Sequence, residues 1–363
     1  MNLPRFVLTI TFASLLATAC SKNTDEETIT TTPVDTSVTF FIKAADASFI
    51  PEIRLSGATT FNAAGDPEDM LTTLKNSGVN TIRLRLWYSS ANGHSGFNEV
   101  KAFSDEIKSK GMKVWLSVHY SDTWADPEKQ VKPEAWNQLS YVTLKDSVNA
   151  YTRRIARAIQ PDYIQIGNEI NNGILWPEGS SQNPEQMKAL IETGISAVRA
   201  VSAKSKIMIH IAGIDDAEWL LNEYNITGYD MVALSYYPVW HGKSLLNLEK
   251  VIYDIGRKFN KKVVIAETAY PFTLLWNDYT NNIIGSNNQI LSDFPATPSG
   301  QKEYMAYISS MSGRLDCSAG YCYWGGEWIA FKGTTATNGS SWENQAMWDF
   351  DGKALPVMDI FKN

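Results

Sequence analysis

Cysteine and histidine are scarce in this chain: three Cys and four His stand among 363 residues. No CxxC, HExxH, phosphate-loop or GxGxxG pattern occurs. The usual sequence marks of zinc sites, metalloproteases, nucleotide phosphates and dinucleotide cofactors are therefore missing. Basic residues are outnumbered, 32 Lys and Arg against 39 Asp and Glu, giving a net charge of -7. That balance argues against nucleic acid or an anionic surface as partner and suits a neutral substrate. The one leading apolar run, residues 6–16, is too short to cross a bilayer. Past residue 39 no Pro-, Gly- or Ser-rich linker interrupts the composition, so residues 40–363 read as one domain.

What is present begins with a leader. Arg5 precedes the apolar run, and Ala17-Thr18-Ala19 stand directly before Cys20. This is the layout of a signal peptide over residues 1–19, and the position of Cys20 points to lipoprotein processing, with Cys20 as the acylated N-terminus. The acidic segment Ser21-Lys22-Asn23-Thr24-Asp25-Glu26-Glu27 resembles the export tag of surface lipoproteins in Bacteroidetes-type bacteria. The protein is thus expected to be lipid-anchored at the outer membrane, facing the cell exterior. A Thr-rich run without periodicity completes a flexible tether over residues 20–39. Besides Cys20 only Cys317 and Cys322 remain, either a local disulfide or two buried thiols.

The body alternates strand and helix signals. β-rich apolar runs at 40–45, 79–86, 112–119, 163–166, 207–211, 231–236, 263–267 and 321–324 predict eight strands. A first helix is expected from Asp66 as N-cap, with Pro67 at its first position and Gly78 just past its end. Others are expected at 98–110 before Gly111, at 133–160 before Pro161, from Asn183-Pro184-Glu185, and at 245–259 and 300–311. Strands alternating with helices in this number imply a parallel sheet closed on itself, an α/β protein of the (β/α)8 TIM-barrel class. No glycine-rich phosphate turn follows the first strand, which speaks against an open doubly wound sheet.

Two of these strands end in glutamate. Tyr163-Ile164-Gln165-Ile166 runs through Gly167 into Asn168-Glu169, and Val263-Val264-Ile265-Ala266 runs into Glu267. Burial disfavours the charged carboxylate, so a Glu at the mouth of a barrel is suited to work as an acid near neutral pH. A matched pair points first to glycosidic bonds. The other strand ends carry Asp46, Arg85 with Trp87, His119 with Tyr120, Tyr236 with Tyr237, and Trp324. In barrels of this class such residues gather at one face.

Longer segments carry a resemblance. His119-Tyr120-Ser121-Asp122-Thr123-Trp124-Ala125-Asp126-Pro127, Gly167-Asn168-Glu169-Ile170, Ser235-Tyr236-Tyr237-Pro238-Val239-Trp240-His241-Gly242 and Glu267-Thr268-Ala269-Tyr270-Pro271 look like segments of glycoside hydrolase family 53. The closing run Asn344 to Gly352 is similar to that family's C-terminal signature. The resemblance implies a retaining endo-β-1,4-galactanase acting on pectic galactan, type I arabinogalactan and their galacto-oligosaccharides, as a monomer. It implies Glu169 as general acid and base, Glu267 as nucleophile, and Asn168 as the partner of the sugar 2-OH. Arg85 and Tyr236 would hold Glu267 ionised, His119 would orient the sugar or the acid, and Trp324 would face the sugar ring. Trp87, Trp124, Trp240 and His241 would serve neighbouring subsites. Asp46 is a further candidate at the end of the first strand.

The chain departs from the family in two places. Where the family shows Tyr-Trp-Glu-Pro, this chain has Tyr323-Trp324-Gly325-Gly326-Glu327. Some bacterial members also hold a structural calcium through an alternating Asp/His/Asn run. Residues 276–282 lack that alternation while keeping oxygen donors. No cofactor is implied as required, and calcium stays open as a structural addition. Two rival readings remain: a catalytically dead glycan-binding barrel, which would need the aromatics without a Glu pair, and a β-mannanase or β-glucanase of the same clan.

Overall fold

The computed structural model describes residues 40–362, so the leader and tether expected over 1–39 lie outside the described residues. Eight strands pair in sequence order and close: β1 Ile42–Asp46, β2 Thr81–Leu86, β3 Lys113–Val118, β4 Tyr163–Ile166, β5 Lys206–Ala212, β6 Met231–Ser235, β7 Lys262–Thr268 and β8 Ser318–Tyr323. All eight pairings are parallel, β8 returning to β1. The helices are α1 Ile50–Ser56, α2 Met70–Asn76, α3 Phe97–Ser109, α4 Tyr141–Ile159, α5 Pro184–Val201, α6 Ala217–Tyr224, α7 Pro238–His241, α8 Leu245–Phe259 and α9 Pro298–Arg314. The structure is the expected (β/α)8 barrel.

Two cores follow from the strand period of two. One set of side chains (Ile42, Ala44, Trp115, Tyr163, Met208, Met231, Ala233 and Val264 among them) fills the lumen. The alternate set, including Ile82, Leu84, Leu116, Ile164, Ile209, Val232 and Ile265, packs under the helices. The helices present matching apolar stripes: α8 buries Leu248, Ile252 and Ile255. Ser244 caps its start by accepting from Asn247 N, and Asn260 closes it in the left-handed conformation.

Two helix expectations differ from what is observed. The first helix begins at Met70 with Asp69 as its cap, because Pro67 is drawn into a bridge with Phe61. The segment expected as one helix over 133–160 splits. Glu134–Trp136 is a single 3₁₀ turn, and α4 starts afresh where the Ser140 side chain accepts from Thr143 N. Trp136 is buried there against Tyr88 and Tyr151. The sequence reading also missed α1, which Pro51 opens and Gly57 ends. Cys317 and Cys322 are both free buried thiols, which closes the disulfide alternative.

Candidate active site

The lumen turns polar toward the C-terminal ends of the strands, and Arg83 organises that layer. It lies on β2 at 1 % exposure, a position that only paired charges and hydrogen bonds make tolerable. Its Nη1 donates to Asp46 Oδ2 at 2.9 Å, and Nη2 donates to Glu267 Oε1 at 2.7 Å and Asn168 Oδ1 at 2.9 Å. Nε donates to Gln165 Oε1 at 2.9 Å. Burial opposes the Arg83 charge, yet Glu267 and Asp46 more than compensate and raise its pKa.

Glu267 reaches this arginine through a break in alternation. Val264 and Ala266 face the lumen, so strict period two would turn Glu267 outward. The β6–β7 register slips there, with Leu234 opposite Ile265 but Ser235 opposite Glu267, and the bulge re-aims the glutamate inward. Its second oxygen, Oε2, accepts from Tyr237 Oη at 3.0 Å. Tyr237 stays protonated, since burial and then the Glu267 charge push its pKa well up.

Glu169 arrives differently. Gly167 turns the chain at φ +86° after β4, where a Cβ would meet Ile170 Cγ2 at 2.6 Å. Glu169 itself sits in the left-handed region at φ +47°, a strained conformation for a non-glycine residue and common where a side chain must be aimed. Its Oε1 accepts from Ser235 Oγ at 2.5 Å, and among the described residues no cation bonds it. Glu169, Glu267 and the His210 ring each offer a ligand atom within 4.8 Å of the others. Burial, then the neighbouring Glu267 charge, push the Glu169 pKa up to about 8. Burial raises Glu267 as well, but the Arg83 charge and the bonds from Tyr237 and Arg83 oppose it. At neutral pH the shared proton belongs on Glu169 and the negative charge on Glu267.

A cleft of about 760 Å³ opens above the pair, lined by Arg83, Arg85, His119, Asn168, Tyr237 and both glutamates among others. Trp124, Trp324 and Trp328 wall one part, and Trp240, Trp342 and Ile283 another. Trp324 stands edge-on to Trp342 at 4.8 Å between ring centroids, and Trp240 is 54 % exposed at the rim. His119 lines the cleft, its Nδ1 accepting from Ala125 N at 3.1 Å, and burial holds its pKa well below the usual value, so it is neutral. His241 Nδ1 accepts from Tyr237 N at 3.0 Å, and burial lowers its pKa to about 4.

Four expectations are corrected. The cation on Glu267 is Arg83; Arg85 sits nearer the mouth, its guanidinium over the rings of Trp124, Phe49 and Trp87 at 4.1, 4.5 and 4.7 Å. The phenol on Glu267 is Tyr237, because residues two apart share a face and Ser235 and Tyr237 look inward. Tyr236 looks outward and donates to Gly242 O at 2.7 Å. Trp87 lies off the cleft, edge-on behind Trp124 at 5.5 Å. Asp46, too, lines no part of it and acts on Arg83 from below. Tyr237 was read only as a strand-end residue without a role, and Arg83, His210, Ser235, Trp328 and Trp342 were not foreseen; counting in twos along the strands would have found Arg83, His210 and Ser235. Glu327, left over by the departure after β8, is fully buried off the cleft and accepts from Phe49 N at 3.0 Å.

The donor set of Glu169, Glu267 and His210 is a poor fit for a metal. Arg83 and Ser235 already hold an oxygen of each carboxylate, and a cation would sit beside the guanidinium. Farther out, the loops after β7 and β8 do fit a hard cation such as calcium. Among the described residues Asp278 Oδ2, Asn282 Oδ1 and Glu343 Oε2 are buried without a hydrogen-bond partner, and Gly339 has no side chain where a Cβ would meet Asp278 Oδ2 at 2.1 Å. These residues would hold the ion, whose part would be to tie the two loops together.

Two carboxyl groups with oxygens within 4.8 Å, one protonated and one held as an anion, at the mouth of a (β/α)8 barrel define a glycoside hydrolase. The comparisons narrow the class. The profile of Glycosyl hydrolase family 53 matches residues 42–361, and the chain belongs to that family. It is 32 % identical over 355 residues to the arabinogalactan endo-beta-1,4-galactanase of Cellvibrio japonicus, covering 92 % of this chain and 93 % of that one. It is 31 % identical to the endo-beta-1,4-galactanase of Bacillus subtilis, covering 89 % and 85 %. The solved GH53 catalytic domain of Ignisphaera aggregans superposes with a TM-score of 0.82 at 36 % identity, covering 91 % of this chain and 96 % of that one.

Proposed function

We propose that the protein cleaves internal β-1,4-galactosidic bonds of pectic galactan and type I arabinogalactan, as a monomer, with retention of configuration. The observation that carries the mechanism is the unequal surroundings of two adjacent carboxyls. Glu267, charged and aimed by Arg83 and Tyr237, attacks the anomeric carbon. Glu169, protonated by burial, gives its proton to the departing sugar oxygen as that bond breaks. The product is a covalent glycosyl ester on Glu267 and a free polymer end. Glu169, now a carboxylate, takes a proton from water, whose oxygen displaces the ester. Carboxyl oxygens within 4.8 Å leave no room for the interposed water an inverting enzyme needs. The cleft crosses the barrel mouth from Asp126, Pro127 and Glu128 after β3 to Ile283 after β7, as a bond inside a polymer requires.

The two carboxyls are separated by leaving group. Losing a general acid typically costs about 10²–10⁴-fold, and that loss falls on sugar leaving groups. Glu169→Ala is expected to be crippled on galactan yet to glycosylate readily from a nitrophenyl galacto-oligosaccharide, then stall until azide releases a β-galactosyl azide. Glu267→Ala is expected to be inactive on both. The reverse pattern would exchange the roles, and Glu169→Ala at full activity on galactan would sink the assignment. Digestion of galactan, mannan and cellulose side by side, with the products sized, tests the substrate; preference for mannan or cellulose overturns it.

A further inference from the structure

Beneath Glu169 lies a buried series of hydrogen bonds whose direction can be read. Arg83 Nε donates to Gln165 Oε1, so the Gln165 amide NH2 must face the other way, onto His210 Nδ1 at 2.8 Å. The backbone N–H of Glu169 also points at Nδ1, at 3.4 Å. Two donors facing Nδ1 leave no place for a hydrogen on it. Burial keeps this imidazole neutral, so its single proton sits on Nε2. Nε2 is 2.9 Å from Ser235 Oγ and donates there, which leaves the Ser235 hydrogen for Glu169 Oε1 at 2.5 Å. Asn168 Oδ1 also approaches Nδ1, at 3.1 Å, but it is already occupied by Arg83 and Ser117.

We propose that this relay, Arg83 to Gln165 to His210 to Ser235, confines the working proton of Glu169 to Oε2 and makes Ser235 a positioning residue in both halves of the reaction. It rests on the acid/base role given to Glu169 above. An oxygen that receives the Ser235 hydrogen cannot carry a second one aimed at the same serine. Oε2 therefore gives the proton to the leaving sugar, and the same Oε2 takes it back from water. Without a fixed donor on Oε1, the proton would divide between two oxygens, one of them facing away from the bond. The relay also ties the acid to the nucleophile mechanically, because its first member is the arginine that aims Glu267.

The charged and titratable groups around Glu169 are Arg83 on β2, Asp126 after β3, His210 on β5, Tyr237 after β6 and Glu267 on β7. Ser235→Ala changes none of these charges. It removes a hydrogen bond that favours the carboxylate over the acid, so the alkaline limb of kcat/KM on galactan is expected to move up by about one pH unit. The acid limb, set by Glu267, is expected to stay in place, and Ser235→Cys, a weaker donor, to bring the alkaline limb partway back. Reduced activity with an unmoved alkaline limb would overturn the proposal, since Ser235 would then only fill space. If Ser235→Ala does not fold, nitrogen-15 NMR of the histidine-labelled wild-type protein decides. His210, one of four histidines, is expected as the Nε2–H tautomer, and a proton on Nδ1 overturns the relay. Failure of the underlying reading looks different: Glu169→Ala would then keep full activity on galactan, whatever Ser235 does.

Discussion

Glu327 shows what a buried carboxyl does when no reaction uses it. Its Oε1 accepts from Phe49 N, its Oε2 has no partner, and burial, then Asp46, push its pKa up to about 8. An acid whose pKa is higher in the folded than in the unfolded chain binds more protons when folded, so stability is lost as pH rises between the two values. For Glu327 that window runs from the ordinary glutamate range, about 4.3, to about 8. Each bound proton contributes a slope of about 1.4 kcal/mol per pH unit inside it. Glu327→Gln, which keeps the acceptor for Phe49 N, is expected to flatten this slope and to be more stable than wild type at pH 8. Urea midpoints measured from pH 5 to 8 check this; parallel curves for the two proteins would show Glu327 to be ionised in the fold. Glu169 falls in the same window, so the wild-type slope does not vanish entirely in the variant.

At the scale of the element, the lesson lies in parity. Which strands end in functional residues was legible, since Asn168, Glu169, Glu267, His119 and Trp324 all line the cleft. Which side chain at each end faces inward was less so. At β6 parity decides, since the lumen takes every second residue and turns Tyr237, not Tyr236, onto the nucleophile; at β2 Arg83 and Arg85 share the inward face, and it is the deeper Arg83 that reaches Glu267. The β7 bulge hides in the opposite way: alternation alone would have turned Glu267 outward, and its extra residue carries no composition signal. Tyr237→Phe removes one hydrogen bond to a charged group, worth about 1.5–3 kcal/mol, so kcat is expected to fall about 10- to 100-fold. Tyr236→Phe is expected to leave kcat nearly unchanged, at a small cost in stability. Steady-state rates on galactan at one pH decide, and equal effects would mean that the pairing with Glu267 is unimportant.

For the whole molecule, alternation of strand and helix signals sufficed for the barrel, because eight apolar runs and their intervening caps admit little else. The loop after β7 was harder. Asp278 and Asn282 meet Glu343 only through the fold, from opposite sides of β8, and no spacing within one segment reveals them. The leader expected over residues 1–19 lies outside the described residues. We propose that Cys20 is acylated and anchors the enzyme in the outer membrane facing the exterior, where polymer is found. Full-length protein is then expected in the membrane fraction, with Cys20→Ala released or unprocessed, and protease added to intact cells is expected to remove the wild type. Protection from protease would place the enzyme on the inner side.

Arg83 is held by Asp46, Gln165, Asn168 and Glu267, and the charge it faces changes during turnover. Before attack it balances two anions, Asp46 and Glu267. Once Glu267 is an ester, one of those anions is gone, and with it the repulsion that helped keep Glu169 protonated. The guanidinium then has surplus positive charge, which draws Glu169 toward its ionised form as a base becomes necessary. When water frees Glu267 the balance returns and Glu169 is an acid again. A single buried cation thus gives the cycle its rhythm, switching one carboxyl between two trades by what happens to the other.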